Sequence, residues 1–245
     1  MKKRLFLLGI VVLLLSVVSL SNLKSNQDQE VALPKTTTLE PEVIEYDELT
    51  SYIELFKTGD IINIENSNYL SSYAIPGRWK HSIFYLGTYQ QFNEVFTVDD
   101  KYYQEINNHY QTKDEILVLD SNSTGVKIRT LDQMANLKKE SYLKALTGYR
   151  FNEDKNFIKN YLNRALDYLD TPYDYSMTTY DDSALYCSEL VYYALLANDI
   201  EINETSTIVD HIVITPTDLS DFLETLDDIE HVYLLEKNNE QIVIT

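Results

Sequence analysis

The pattern of apolar and polar residues in the last three quarters of the chain predicts several short strands. After a break at Thr58-Gly59-Asp60, apolar runs recur between segments rich in turn residues. Runs of this length, bounded by Gly, Pro, Asn, Asp or Ser, are typical of buried strands. The predicted strands cover residues 61–64, 82–87, 116–120, 126–129 and 212–214, with one or two more near the C-terminus.

Helical spacing of apolar residues predicts four helices, mostly in the second half of the chain. They cover residues 48–57, 156–169, 187–197 and 218–226. In each, apolar side chains recur three or four residues apart, which indicates one buried stripe. Residues 92–113 are polar and aromatic without a clear period, and we interpret them as an insertion. Strands grouped early and helices grouped late favour the α+β class.

The N-terminus has the pattern of a targeting segment. A positive stretch at Lys2-Lys3-Arg4 precedes an uncharged apolar run at residues 5–20. The run fits a signal peptide, with Ser19-Leu20-Ser21 as its cleavage site, or an uncleaved membrane anchor. A buried core helix is a weaker alternative, because the run has no polar face. We therefore expect the rest of the chain to be exported, and tethered to the membrane through residues 5–20 if the segment is not cleaved.

Three regions are expected along the chain. Residues 1–21 form the signal peptide or anchor. Residues 22–45 are polar, carry Pro34 and Pro41 and lack an apolar period, which predicts a flexible linker. Residues 46–245 show no further boundary or internal repeat, so we expect one folded domain.

Composition and motifs narrow the chemistry. The formal net charge of −19 at pH 7 repels phosphate groups, so nucleic acid is not an expected partner. The chain has one Cys, so it cannot form an internal disulfide, and an unpaired Cys in an exported protein is either buried and inert, paired between chains or reactive. The sequence contains no metal-ligand motif, P-loop, dinucleotide fingerprint or GxSxG elbow. We therefore expect neither a metal nor a cofactor.

Cys187 is the candidate nucleophile, since it lies near the start of a predicted helix. Helix N-terminal N–H groups lower the pKa of a Cys thiol and can also bind an oxyanion. The alternative is a small apolar residue of the core, because free Cys is among the most buried residue types.

His81 and Asp120 are the candidate partners of this thiol. His81 immediately precedes a predicted strand, and Asp120 ends the next one. On neighbouring strands they could share one face, with the carboxylate orienting the imidazole that acts as base. Alternatively, His81 is a packing residue and Asp120 a turn residue. The other histidines, His109, His211 and His231, have weaker surroundings: an insertion, the edge of an apolar strand and a predicted turn.

Five segments in one order resemble the circularly permuted branch of the NlpC/P60 superfamily, the YiiX/YebB-like cysteine hydrolases of papain-like fold. The segments are Gly59-Asp60-Ile61-Ile62, Ala74 through Trp79-Lys80-His81, Leu119-Asp120 with Gly125-Val126, Pro172-Tyr173-Asp174-Tyr175, and Tyr186-Cys187-Ser188-Glu189-Leu190-Val191. The resemblance covers roughly residues 55–220. It implies an antiparallel sheet packed against the helix that carries the nucleophile.

The resemblance also implies roles for individual residues. Cys187 matches the family nucleophile, His81 the base and Asp120 the third polar residue, which is often Glu in the family. Tyr173 matches a tyrosine that helps to line the oxyanion site. The segment from Tyr89 to Glu115, between His81 and Asp120, is longer than in the family pattern.

Three functions remain open at this stage. The first is an exported amidase or peptidase that cleaves peptidoglycan peptides through an acyl-enzyme. The second is a hydrolase or acyltransferase that acts on acyl-lipids, for which we expect a long apolar groove at Cys187. The third is a non-catalytic surface protein, against which the paired thiol and imidazole argue.

Overall fold

The computed structural model describes residues 43–67, 75–135, 142–177, 181–203, 205–208, 210–238 and 241–244. The predicted signal peptide or anchor, and all but the last three residues of the predicted linker, lie outside these ranges. Among the described residues, no helix is long and apolar enough to cross a membrane.

In the part of the chain that the structure describes, seven antiparallel strands form one sheet in the order β4-β3-β2-β1-β5-β8-β9. A separate two-stranded sheet pairs β6 with β7. The strands are β1 (Ile61–Ser67), β2 (His81–Thr88), β3 (Ile116–Asn122), β4 (Gly125–Thr130), β5 (Tyr142–Phe151), β6 (Ser206–Ile208), β7 (His211–Val213), β8 (Ile229–Asn238) and β9 (Gln241–Ile244). Central strand β5 is absent from the sequence prediction.

Seven α-helices connect or cover these strands within the described ranges. They are α1 (Tyr46–Thr50), α2 (Tyr89–Val95), α3 (Tyr103–Asn107), α4 (Asp132–Ala135), α5 (Lys155–Leu166), α6 (Cys187–Leu195) and α7 (Pro216–Leu223). The predicted first helix is shorter than expected and is followed by a 3-10 turn at Ile53–Leu55. The predicted insertion carries α2 and α3, whose aromatic residues Phe92 and Tyr103 stack in the core.

Helices α5 and α7 begin where a side chain accepts their first free N–H groups. Asp154 accepts the N–H groups of Asn156 and Phe157 at 2.8 and 3.0 Å, which starts α5. Thr215 accepts the N–H of Asp218 at 3.0 Å and starts α7. Pro216 is the first residue of α7, a position that needs no N–H donor.

The sheet is buried on both faces. One face packs against α5, α6 and α7, while residues before β1 help to cover the other. Ile44 is fully buried there and donates its N–H to the carbonyl of Leu143 at 2.7 Å. The folded region therefore already includes the last residues that we assigned to the linker.

The Gly59-Asp60 motif has a structural role at the start of β1. Gly59 has φ of +102°, and a Cβ there would lie 2.5 Å from Ile158, so only glycine fits. The buried Asp60 carboxylate accepts two hydrogen bonds of 2.7 Å from Arg150 on β5. The motif thus ties the first strand to β5, which is its neighbour in the sheet but distant in sequence.

The start of α6 lies against β2 and β3, as expected for a sheet packed on the nucleophile helix. Ser121 of β3 donates its hydroxyl to the carbonyl of Leu185 at 2.5 Å, just before α6. Ser188, in the first turn, donates its hydroxyl to the carbonyl of Ile214 at 2.6 Å. These buried bonds fix the start of α6 between the sheet and the segment that leads into α7.

Candidate active site

Cys187 is the first residue of α6 and is only 3% exposed. Its sulfur accepts the main-chain N–H groups of Ser82 and Ser188 and contacts the ring of His81. Burial by itself would raise the pKa of the thiol. The positive charge of His81, its hydrogen bond and the two N–H groups outweigh burial, so the pKa of Cys187 lies below its ordinary value.

His81 is the first residue of β2 and joins the thiol to a carboxylate. Its Nε2 lies 2.8 Å from Oδ2 of Asp120, which leaves Nδ1 as the ring nitrogen for the sulfur of Cys187. Burial would lower the pKa of the imidazole. The negative charge of a Cys187 thiolate and the hydrogen bond to Asp120 act more strongly and raise the pKa of His81 to about 10. The contact therefore favours the thiolate of Cys187 beside the imidazolium of His81.

Asp120 is fully buried near the end of β3 and is held from a second side by Arg129. Nε of Arg129 donates to Oδ1 of Asp120 at 2.7 Å, while Oδ2 faces His81. Nη2 of Arg129 donates to Oδ1 of Asn122 and to the carbonyl of Gly125, each at 2.8 Å. The arginine fixes the direction of the carboxylate and ties it to the β3–β4 hairpin.

Sequence analysis did not identify Arg129, although its position relative to Asp120 across the β3–β4 hairpin could have indicated it. The register pairs Asp120 with Lys127, so Arg129 is the diagonal neighbour of Asp120 on the adjacent strand. A short hairpin assigned at Ser123-Thr124 would have put the guanidinium within reach of the carboxylate.

Tyr173 lies beside Cys187 in the wall of a pocket. Burial and the neighbouring Cys187 raise the pKa of its hydroxyl, so the group stays protonated and can donate a hydrogen bond. The pocket is a small cleft that is partly open to solvent. Its described wall is almost entirely apolar and carries no charged side chain; its larger side chains are those of Tyr173, Met177, Tyr186, Ile208, Val213 and Ile214.

Glu189, two residues after Cys187, is a second buried group that sequence analysis did not identify. Its side chain is fully buried, and its Oε2 accepts the N–H of Tyr186 at 3.3 Å. Burial and the acidic neighbours Asp174 and Asp181 raise the pKa of Glu189 to about 9. The carboxyl group is therefore neutral at pH 7 and adds no charge beside the thiolate.

The remaining histidines lie elsewhere. His109 follows α3, His211 is on β7, and His231 is on β8 rather than in the turn that we predicted. Within the described ranges, no three His, Cys, Asp or Glu side chains are grouped so that they could hold a metal ion.

Comparisons with known proteins assign the chain to a family. Residues 55–242 match the family described as permuted papain-like amidase enzyme, YaeF/YiiX, C92 family. A crystal structure titled metalloprotein yiiX from Escherichia coli O157:H7 is 18% identical, covers 77% of this chain and 96% of its own, and has a TM-score of 0.43. No curated protein matches the sequence significantly. Because the family match spans most of the chain, this protein belongs to the YaeF/YiiX family of permuted papain-like amidases and is a cysteine hydrolase.

Proposed function

We propose that the protein cleaves amide bonds through an acyl-enzyme on Cys187. The observation that carries this proposal is the contact between the Cys187 sulfur and the His81 ring, which lowers the pKa of the thiol and raises that of the imidazole. A thiolate that exists at neutral pH is a competent nucleophile, and an imidazolium beside it is a competent acid.

The reaction would proceed in two halves. The Cys187 thiolate attacks the carbonyl carbon, and the oxyanion accepts hydrogen bonds from the N–H of Cys187 and the hydroxyl of Tyr173. His81 gives its proton to the leaving nitrogen as the C–N bond breaks. A water then loses a proton to neutral His81 and attacks the thioester, which releases the acid and restores the ion pair. Asp120 would keep the ring oriented throughout.

For the acyl group, the pocket favours an apolar chain. Sequence reasoning put a peptidoglycan peptide first and an acyl-lipid second. A peptidoglycan peptide carries carboxylates and amines, which need charged or polar partners when buried. The described wall beside Cys187 has no charged side chain, so its chemistry supports the acyl-lipid or another apolar acyl amide.

Alkylation of Cys187 tests the site without a substrate. The single Cys makes the readout unambiguous. We expect the alkylation rate to reach its plateau well below the ordinary thiol pKa of about 8.5, and His81→Ala to move that plateau upward. His109→Ala is the matched control, since its ring lies outside the site. A thiol that titrates normally, whether or not His81 is present, would contradict the proposal.

Substrate class needs a separate comparison. N-acyl glycines with acetyl, hexanoyl and decanoyl groups would be assayed beside purified muropeptides. We expect kcat/KM to increase with the length of the acyl chain. Cleavage of muropeptides with no response to chain length would favour the peptidoglycan substrate.

Export is proposed on the N-terminal pattern alone. Expression of the full chain followed by fractionation would test it. Protein recovered outside the cytoplasmic membrane, or bound to its outer face, is the expected result, and replacing the apolar run at residues 5–20 should abolish that location.

A further inference from the structure

The pairing of β2 with β3 ends close to Cys187 in space. The last registered pair toward the site is Phe84 with Leu119, so Ser82 lies beyond it. The N–H of Ser82 is instead directed at the sulfur of Cys187. Because no strand partner on β3 fixes the direction of the Ser82 N–H, other contacts must do so.

The hydroxyl of Ser82 provides such a contact. It donates to Oδ1 of Asn63 at 2.6 Å, and the two residues are direct cross-strand partners between β2 and β1. Both side chains are buried, with 1% and 0% of their surface exposed. The bond therefore acts on the same residue whose N–H reaches the nucleophile.

Asn63 lowers the stability of the fold at this position. Its Nδ2 is buried and has no hydrogen-bond partner among the described residues. Leaving a buried donor unsatisfied lowers stability. Ile61, two residues earlier on the same face of β1, is an ordinary core residue, so an apolar side chain would suit the fold better at this site too.

We propose that Asn63 is a positioning residue of the active site, which acts through the hydroxyl of Ser82 to hold the Ser82 N–H on the sulfur of Cys187. This inference rests on the proposed function. Asn63 touches neither the sulfur nor the substrate in this scheme. Its contribution is to keep one of the two N–H groups that stabilise the thiolate aimed at its target.

The test is the pH dependence of Cys187 alkylation in Asn63→Leu, Ser82→Ala and the double variant. Each change removes the same hydrogen bond, and Ser82→Ala does so with a small loss of volume. We expect the apparent pKa of Cys187 to rise by roughly 0.5–1 unit in each variant. Because one bond is lost in all three, the double variant should shift no further than the single ones. Ser82→Thr keeps a hydroxyl and should restore most of the effect.

Thr147→Val is the matched control. Thr147 is the β5 partner of Asn63, is equally buried and has a hydrogen-bonded hydroxyl, but lies on the far side of Asn63 from Ser82. The Thr147→Val variant should be less stable than the unaltered protein, with no change in the pKa of Cys187. If Asn63→Leu and Ser82→Ala behave like this control, both residues are structural and the inference is wrong. If Cys187 of the unaltered protein titrates as an ordinary thiol, the proposed function itself fails.

Discussion

Arg129→Met would leave the buried Asp120 carboxylate with His81 as its remaining side-chain partner among the described residues. Removing one partner of a buried ion pair costs roughly 3–5 kcal/mol, mostly because a charge is left uncompensated. The imidazolium of His81 still compensates Asp120 in part, so we expect the lower end, about 3 kcal/mol. That is a large share of the 5–15 kcal/mol typical of a folded domain.

Urea unfolding at neutral pH would measure this loss against Lys127→Met. Lys127 is on the same strand, but its ion pair with Asp170 is exposed, so its removal should cost no more than about 1 kcal/mol. Equal losses for the two variants would show that Arg129 contributes no buried pairing, which would refute the reasoning.

A double variant separates stability from activity. Arg129→Met combined with Asp120→Asn removes the uncompensated charge together with its partner, so much of the lost free energy of unfolding should return. Amide hydrolysis should not return, because His81 then lacks the carboxylate that orients it. Recovery of both would mean that Asp120 only balances the charge of Arg129.

Three further predictions concern buried ionisable side chains. Glu189→Gln keeps the shape of the neutral carboxyl group, so activity should persist at pH 7. Because the pKa of Glu189 is about 9 in the folded protein and 4.5 ordinarily, the unaltered protein should lose stability as pH rises between those values. Unfolding curves of the Gln variant, measured across that pH range, should lack this loss. Arg150→Met should lower the free energy of unfolding by about 3–5 kcal/mol, because it removes the guanidinium that compensates the buried Asp60 carboxyl group. A loss comparable with that of an exposed pair would contradict this. The stabilisation of the fold by His81 should be complete below the ordinary imidazole pKa of 6.5 and disappear as pH rises through about 10. Amide hydrolysis should fall in the same range, because the imidazolium acid is lost. If neither the free energy of unfolding nor the hydrolysis rate falls on the alkaline side, the ion pair with Cys187 is contradicted.

Sequence patterns predicted the strands that have their own apolar runs, and missed the short β6 and the long β5. β2, β3 and β4 were all expected, with bounds shifted by one or two residues. β5 contains Lys144, Thr147, Gly148 and Arg150 and has no such run. It is central because Gly148 makes room for Tyr233, whose ring would lie 2.1 Å from a Cβ, and because Arg150 meets Asp60. Neither condition is visible within the segment itself.

The candidate site divides in the same way. Residue type and position pointed to Cys187, His81 and Asp120, and the structure brings the three together. The supporting groups, Arg129 and Asn63, have ordinary positions in their strands, and only the register with the neighbouring strand gives them a role. Sequence patterns therefore indicated the candidate catalytic groups better than the side chains that hold them in place.

The end of the β2–β3 ladder explains why these supporting groups matter. Inside an antiparallel ladder, main-chain N–H groups are occupied by the neighbouring strand. Beyond the last pair, the Ser82 N–H is available, and the first turn of α6 contributes another from Ser188. The direction of the Ser82 N–H depends on the register of β1 and β2. A slip of one residue would turn the Ser82 side chain to the other face and break its bond to Asn63. The acidity of Cys187 is thus a property of strand pairing as much as of the helix on which it lies.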